Sequence, residues 1–417
     1  MSTDFPFSSL DLSIIAVPAP PIDYGYAIEL LVRFGDIFTH LRAEERSLKW
    51  NVEMMTKLLK AATELEYFQP GTLPPYIDDQ NPQFRFSSLR VLSFQNIYNG
   101  DKHVLTEIIR AAPKLEEIQD VSCVAIAEMA ALRKTQKLAL VSSLTLSTGT
   151  EARAYSELAT NPPQLKTLTV DKNTHSPGHY CTALKSILKQ SENSLKKLKF
   201  VNCYAQLNDL LVLHNLEELD LNFRTPEENR NRGTAAVLPR LSNSFFPKLK
   251  TVRLDGCGED ITEGFIRKHF WEAYDTPLES VDKLELASYC EPAAIEYLAK
   301  LFPRVTYVSV GYVPSMYRKW NAPLSNIWLL KAFHHLSKLQ ILGYAFNYGS
   351  MDTFLTGIPT GIVANLRGAP KNVLTPWMSD ILRPHGNILE LKSKSINYSS
   401  LCKLNKAFPF YRCCQLL

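Results

Sequence analysis

One spacing of apolar residues recurs along this chain and limits how it can fold. In Leu89-x-x-Leu92-x-Phe94, the last two apolar residues face one side of an extended strand, because alternate side chains of a strand share a side. The same spacing begins again at Leu165, Leu195, Leu216, Leu249, Val281, Val305 and Leu339, and more weakly at Leu65, Leu115 and Val141. No single copy can bury its apolar side, so the copies must stack on one another.

The copies lie about 27 residues apart, which is the period of leucine-rich repeats. The segments between them have helical periodicity, as in Val104, Leu105, Ile108 and Ile109. Four segments meet a proline just before the next strand, at Pro113, Pro163, Pro247 and Pro303, and proline ends a helix. The pattern predicts an α/β fold, a leucine-rich-repeat solenoid (horseshoe) of about ten to eleven irregular strand–helix repeats. A doubly wound sheet also alternates strands and helices, but it does not require one register in every strand.

The two ends of the chain differ from the repeats between them. Apolar residues at helical spacing, including Ile28, Leu31 and Leu41, predict helices over residues 24–62, so residues 1–62 are interpreted as an N-terminal strand/helical cap. The solenoid is expected over residues 63–349. Beyond Asn347 the pattern fades, so residues 350–417 are interpreted as irregular C-terminal repeats, a cap and a tail.

Composition narrows the function classes. The chain has 46 Lys and Arg against 42 Asp and Glu, a net charge of +4, which is too weak to indicate a nucleic-acid partner. No apolar stretch is long enough to span a membrane, and no basic segment precedes an apolar core at the N-terminus. The eight cysteines form no Cys-x-x-Cys pair. These features predict an intracellular protein of the cytoplasm or nucleus.

No motif of catalysis or cofactor binding occurs. The chain contains no Gly-rich phosphate loop, no His-Glu-x-x-His and no Gly-x-Ser-x-Gly. His175, His179 and Cys181 have metal-ligand side chains, but a closed zinc site needs four ligands, so they are interpreted as a polar loop entering a helix. The sequence thus predicts no catalytic residues, no metal, no cofactor and no enzymatic activity.

The repeats resemble those of F-box/leucine-rich-repeat proteins, which have ribonuclease-inhibitor-like repeats. The resemblance rests on Ala111-Ala112-Pro113-Lys114-Leu115-Glu116-Glu117-Ile118, on Phe246-Pro247-Lys248-Leu249-Lys250-Thr251-Val252, and on Cys203 and Cys257 at strand exits. It implies substrate recognition for an SCF-type ubiquitin ligase, with Skp1 and a cullin as partners and the target on the concave face. The alternative is a repeat scaffold that binds a protein partner without ubiquitination.

The F-box itself is degenerate or absent. Ile37-Phe38-Thr39-His40-Leu41 is similar to the middle of an F-box, but the opening Leu-Pro of the family is missing. The same segment also suits an amphipathic helix that caps the solenoid. An F-box remnant would expose Ile37, Phe38 and Leu41 to a partner, whereas a cap would bury them.

The partner-binding residues are predicted from the strand pattern. The residue between the last two apolar positions points out of the sheet, and in four successive strands it is Lys199, Asp220, Arg253 and Glu285. We expect a self-neutralised ladder of these four, with Lys197 beside Glu218 and Arg253 beside Asp255. The next two strands place Ser309 and Gly343 in this row. The candidate partner-binding residues are Lys197, Lys199, Glu218, Asp220, Arg253, Asp255, Lys283, Glu285, Tyr307 and Ile341.

The last four residues read as a lipidation motif. Cys414-Gln415-Leu416-Leu417 has the form of a prenylation signal, and its final Leu is typical of the geranylgeranyl type. Gln415 is not aliphatic, which weakens the match. Peripheral membrane attachment is expected only if Cys414 is prenylated.

Overall fold

The structure is a computed structural model, and the chain divides into two compact units, Met1–Leu195 and Lys196–Leu417. It describes residues 9–11, 33, 38–42, 62–70, 86–94, 102–122, 126–146, 152–171, 178–201, 212–222, 245–255, 277–287, 290, 292–311, 332–342, 363–367 and 389–392. No helix within these ranges has the length and apolar character needed to cross a membrane.

The first unit contains parallel strands in chain order. A five-stranded sheet consists of β1 (Ser9–Asp11), β2 (His40–Arg42), β3 (Tyr67–Gln69), β4 (Val91–Ser93) and β5 (Glu117–Gln119). Next come β6 (Val121–Ser122), β7 (Ser143–Leu146) and β8 (Thr167–Asp171), also paired in parallel. Parallel neighbours require a crossover connection between them, as a strand–helix repeat provides.

Four described helices belong to this unit, and the first three lie between paired strands. They are α1 (Lys102–Ala111), α2 (Ile126–Thr135), α3 (Ala152–Thr160) and α4 (Gly178–Gln190), with a 3₁₀ turn at Leu138–Leu140. The predicted apolar face of α1 is buried. This helix ends two residues before Pro113, as expected from the missing amide of proline.

The described part of the second unit repeats this plan with eight strands. They are β9 (Lys197–Val201), β10 (Glu218–Asn222), β11 (Thr251–Asp255), β12 (Lys283–Leu286), β13 (Tyr307–Gly311), β14 (Lys338–Leu342), β15 (Val363–Arg367) and β16 (Leu389–Lys392). Each is parallel to the next along the chain. One described helix, α5 (Pro292–Leu301), lies between β12 and β13.

The apolar residues of the recurring spacing form the core of each unit. In β11 both Val252 and Leu254 are fully buried, and so is Leu249 at the strand entry. The equivalent residues of the other well-defined copies are also buried: Leu89, Leu92, Phe94, Leu165, Leu168, Val170, Leu195, Leu198, Phe200, Leu216, Leu219, Leu221, Val281, Leu284, Leu286, Val305 and Val308. Burying a leucine side chain contributes about 1.5–3 kcal/mol to folding. The prediction of an α/β protein with parallel sheets is confirmed.

The prediction of an N-terminal helix is wrong at residues 40–42, where the chain forms β2. Leu41 of this strand pairs in register with Phe68 of β3 and is buried. The reason is a shorter version of the same spacing, because Phe38-x-x-Leu41 corresponds to Leu65-x-x-Phe68. Of the three residues that tested the F-box interpretation, Leu41 is buried, Phe38 is half-buried, and Ile37 lies outside the described residues.

The predicted register of β14 is also wrong. Ser309 of β13 pairs with Gln340, not with Gly343. The apolar spacing in this repeat begins at Leu336 and continues through Leu339 to Ile341, three residues earlier than predicted. Two overlapping matches were possible here because leucines occur at both 336 and 339, and a shift of an odd number of residues exchanges the two faces of a strand.

Candidate partner-binding face

Strands β9–β13 present two different faces. The apolar residues described above lie on one face, and their neighbours in sequence lie on the other because strand side chains alternate. We call this second side of the strands the charged face. It consists of Lys197, Lys199, Glu218, Asp220, Arg253, Asp255, Lys283, Glu285 and Tyr307. Its positive and negative side chains are equal in number, so it has no dominant sign.

The first part of the predicted ladder forms. Lys199 pairs in register with Asp220, and its Nζ lies 3.2 Å from Asp220 Oδ2. On the other side of Asp220, the Nε of Arg253 lies 3.9 Å from Oδ1. Asp220 is only 7% exposed, so its charge depends on these two cations for compensation. Lys197 and Glu218 form the predicted flanking pair, with 2.7 Å between Nζ and Oε2.

The second part of the ladder differs from the prediction. Glu285 lies beside Arg253 in register, but its carboxylate pairs with Lys283 of its own strand, 2.6 Å away. Asp255 does not pair with Arg253 either; its Oδ2 accepts a hydrogen bond from the side-chain amide of Asn222 at 3.2 Å. The reason is that the sequence pattern places side chains in rows but does not decide which neighbour each one turns towards.

Lys283 connects the charged pairs to an aromatic ring. Its Nζ lies 5.3 Å from the centre of the Tyr307 ring, at cation–π distance. Partial burial would lower the pKa of Lys283, but the hydrogen bond to Glu285 and the charge of that carboxylate outweigh it and raise the pKa above its ordinary value. Lys283 therefore stays charged and holds the half-buried Tyr307 ring against it.

Ile341 does not belong to the charged face. Its register partners are Val310 of β13 and Leu366 of β15, and Val310 in turn pairs with Leu286, which is buried. The earlier start of the apolar spacing in this repeat places Ile341 in the core row of the sheet. We therefore withdraw Ile341 from the partner-binding residues.

A polar cluster in the first unit was missed by the sequence pattern. Glu117 of β5 accepts hydrogen bonds from Ser142 (2.6 Å), Gln119 (3.2 Å) and the Nζ of Lys166 (3.2 Å). Partial burial would raise the pKa of Glu117, but these hydrogen bonds and the charge of Lys166 hold it below its ordinary value. Its partners lie up to 49 residues away, which is why no local pattern reveals the cluster.

Asp120 stands at the junction of β5 and β6 with a positive φ of 58°. Its two carboxylate oxygens accept hydrogen bonds from Ser93 at 3.1 Å and from Ser143 at 3.2 Å. Aspartate tolerates this left-handed conformation better than most residues. Asp120 therefore joins three strands of the first unit while the chain turns between β5 and β6.

Glu128, in the first turn of α2, is another polar residue that the sequence pattern missed. It is 2% exposed, and one carboxylate oxygen accepts a hydrogen bond from the backbone N–H of Ser122 at 2.9 Å. Burial raises the pKa of Glu128 to about 8, and the single hydrogen bond offsets only part of that shift. At neutral pH this carboxyl is therefore mostly protonated.

The structure supports no site geometry at the metal and lipidation candidates predicted from the sequence. Within the described ranges, no three His, Cys, Asp or Glu side chains converge as metal ligands would. His175 and Cys414, the lipidation candidate, lie outside the described residues, and so do the side chains of His179 and Cys181, although both residues belong to α4.

Comparison with known proteins assigns no family to this chain. No family model matches the sequence, and no curated protein matches it significantly.

Proposed function

We propose that this chain is a non-enzymatic leucine-rich-repeat protein of the solenoid (horseshoe) type, and that it binds a protein partner on its charged face. The proposal rests on the difference between the two faces of β9–β13. One face buries an unbroken apolar row, which the fold requires. The other presents charged and aromatic side chains that the fold does not require.

The chemistry of this face favours a protein over other partners. Its positive and negative charges alternate along the rows, which would oppose binding to the uniformly negative backbone of a nucleic acid. The half-buried Tyr307 lies beside Lys283, and aromatic residues of this kind contribute strongly to protein interfaces. Interleaved charges of both signs provide specificity by electrostatic complementarity.

Substrate recognition for an SCF-type ubiquitin ligase is the second candidate. It is supported by the resemblance of the repeats to those of F-box/leucine-rich-repeat proteins. Because Leu41 lies buried in a strand of the sheet, the segment around it does not suit a helical F-box that docks Skp1. The ligase function would require a docking segment elsewhere in the protein.

One experiment tests both candidates. The full-length tagged chain is expressed in cells, and its partners are quantified beside those of a Tyr307→Ala variant and of an Arg304→Gln control, whose ion pair with Glu279 lies outside the charged face. The proposal predicts partners that are lost with Tyr307→Ala and retained with Arg304→Gln. Recovery of Skp1 and a cullin with all three chains would favour the ligase adaptor. Partners insensitive to Tyr307→Ala would contradict binding at the charged face.

A further inference from the structure

The charged face leaves one cation without a close partner. Three of its four cations are each within 3.2 Å of a carboxylate: Lys197 with Glu218, Lys199 with Asp220, and Lys283 with Glu285. The fourth, Arg253, lies between the second and third of these pairs. Among the described residues its one ion pair is the 3.9 Å approach of Nε to Asp220, a carboxylate that Lys199 approaches more closely, at 3.2 Å.

Arg253 is also accessible. Its side chain is 44% exposed and lies on β11, the middle strand of the five that carry the charged face. A guanidinium group offers a planar fork of donors that fits a carboxylate with two parallel hydrogen bonds. We infer that Arg253 is the specificity-determining residue of the charged face, and that it recognises an acidic side chain in an extended peptide segment of the partner. This inference rests on the proposed function.

The surroundings of Arg253 select a carboxylate over a phosphate. Three acidic residues surround Arg253 on the charged face. Asp220 and Glu285 are its register partners on the two neighbouring strands, and Asp255 lies two residues further along its own strand. A phosphate group carries nearly two negative charges at neutral pH and is repelled by neighbouring acidic side chains. A carboxylate carries one, and the fork of Arg253 can satisfy it.

Tyr307 provides the second contact for the peptide. It lies two strands from Arg253, and it precedes by two residues Ser309, which stands in the same row as Arg253. From the usual strand spacing and rise, the two Cα positions are about 12 Å apart. An extended peptide covers that distance in three or four residues. The segment recognised therefore carries Asp or Glu, followed or preceded at that spacing by an aromatic or large apolar residue that rests on Tyr307.

A peptide selection tests the inference. A random peptide library displayed on phage is selected against the full-length chain, against Arg253→Gln and against Arg304→Gln, the matched control for the same chemical change. Wild-type and Arg304→Gln chains should enrich peptides with an acidic residue at the stated spacing, and Arg253→Gln should not. Arg253→Lys, which keeps the charge without the fork, should give intermediate enrichment.

The affinity of the most enriched peptide is then measured by fluorescence polarisation. Changing its acidic residue to the amide, or Arg253 to Gln, should weaken binding roughly tenfold, and making both changes should cost little more. A phosphoserine at the acidic position should bind more weakly than the carboxylate.

The possible failures are distinguishable. Enriched peptides that lack an acidic residue, bind Arg253→Gln equally well, or gain affinity from phosphoserine would overturn the inference and leave protein binding intact. If the wild-type chain enriches no peptide, or enriches only peptides insensitive to both Arg253→Gln and Tyr307→Ala, the proposed binding face is overturned as well.

Discussion

The two units use the same parallel strands but organise their polar side chains differently. In the first unit Glu117 accepts three hydrogen bonds from side chains of other residues, one of them from Lys166. In the second unit three carboxylates of the charged face, Glu218, Asp220 and Glu285, each lie within 3.2 Å of a lysine, whereas Arg253 reaches Asp220 only at 3.9 Å. A carboxylate shared by several donors holds strands together, whereas close lysine–carboxylate pairs around one loosely paired arginine leave that arginine for a partner.

Exposure alone therefore does not mark a binding surface. Glu117 and Glu285 have similarly exposed side chains, 23% and 28%. Only the pattern of partners separates a residue that stabilises the fold from one that neutralises a neighbour. Four expected effects and one direct measurement test this comparison.

The largest expected effect concerns what the two units have in common, their buried apolar rows. Leu168→Ala in β8 and Leu284→Ala in β12 each remove a fully buried side chain. We expect each to lower the free energy of unfolding by about 2–5 kcal/mol, measured by urea denaturation. A loss below about 1 kcal/mol at either position would show that its row is not packed as described.

The second effect depends on pH and concerns Glu128. Its pKa is 4.5 in the unfolded reference and about 8 in the folded protein. Between these values the unfolded chain loses the proton that the folded chain keeps, so the free energy of unfolding falls as pH rises. Glu128→Gln removes this fall, and we expect the variant to be more stable than wild type by about 3 kcal/mol at pH 7 and equal to it near pH 4.

Glu107→Gln is the matched control for Glu128→Gln. Glu107 lies on the exposed side of α1 and pairs with Arg110 at 2.7 Å, so its loss should cost no more than about 0.5 kcal/mol. An equal gain in stability at high pH from both substitutions would show that the effect comes from the net charge of the chain. A stability difference between Glu128→Gln and wild type that does not change with pH would contradict the protonated, buried carboxyl.

The third effect compares Glu117 with Glu285. Glu117→Gln weakens hydrogen bonds from three residues and should lower the free energy of unfolding at pH 7 by about 1–2 kcal/mol. Because the folded pKa of Glu117 lies below its ordinary value, its contribution is present above the unfolded pKa and is lost as pH falls through the folded one. Glu285→Gln should cost less than about 1 kcal/mol. If both variants lost the same free energy of unfolding, Glu117 would stabilise the fold no more than Glu285, and the proposed difference between the two units would be wrong.

The smallest effect is expected at Lys197. Its pair with Glu218 is short, but both side chains are about half exposed. Exposed pairs contribute about 0–1 kcal/mol, so Lys197→Met should change the free energy of unfolding by less than 1 kcal/mol. A larger loss would mean that the charged face stabilises the fold, and its assignment as a binding surface would weaken.

The sequence predicted most of the core and much of the charged face. The spacing of apolar residues located the core of β4, β7–β13 and the outward position of Lys199, Asp220 and Arg253. This succeeds because strand periodicity decides which face each side chain takes. It failed in β2, where only Phe38 and Leu41 of the pattern remain, and in β14, where Leu336 and Leu339 offer two registers.

The rest of the site was beyond the sequence for physical reasons. Glu285 pairs with Lys283 and not with Arg253 because of its side-chain rotamer, and rotamers follow from packing rather than from spacing. The Glu117 cluster brings together residues from separate repeats. The burial of Glu128 depends on how α2 lies beside β6, which no local pattern specifies.

The most direct test of the account measures stability and binding in the same two variants. Glu117→Gln and Arg253→Gln each remove one charge from a strand, one in each unit. Each variant is compared with wild type by urea denaturation and by polarisation with the selected acidic peptide. The account predicts that Glu117→Gln lowers the free energy of unfolding by about 1–2 kcal/mol without changing affinity. It predicts that Arg253→Gln weakens binding roughly tenfold with less than about 1 kcal/mol of lost stability. The reverse assignment, or equal effects of both variants on both quantities, would contradict the account.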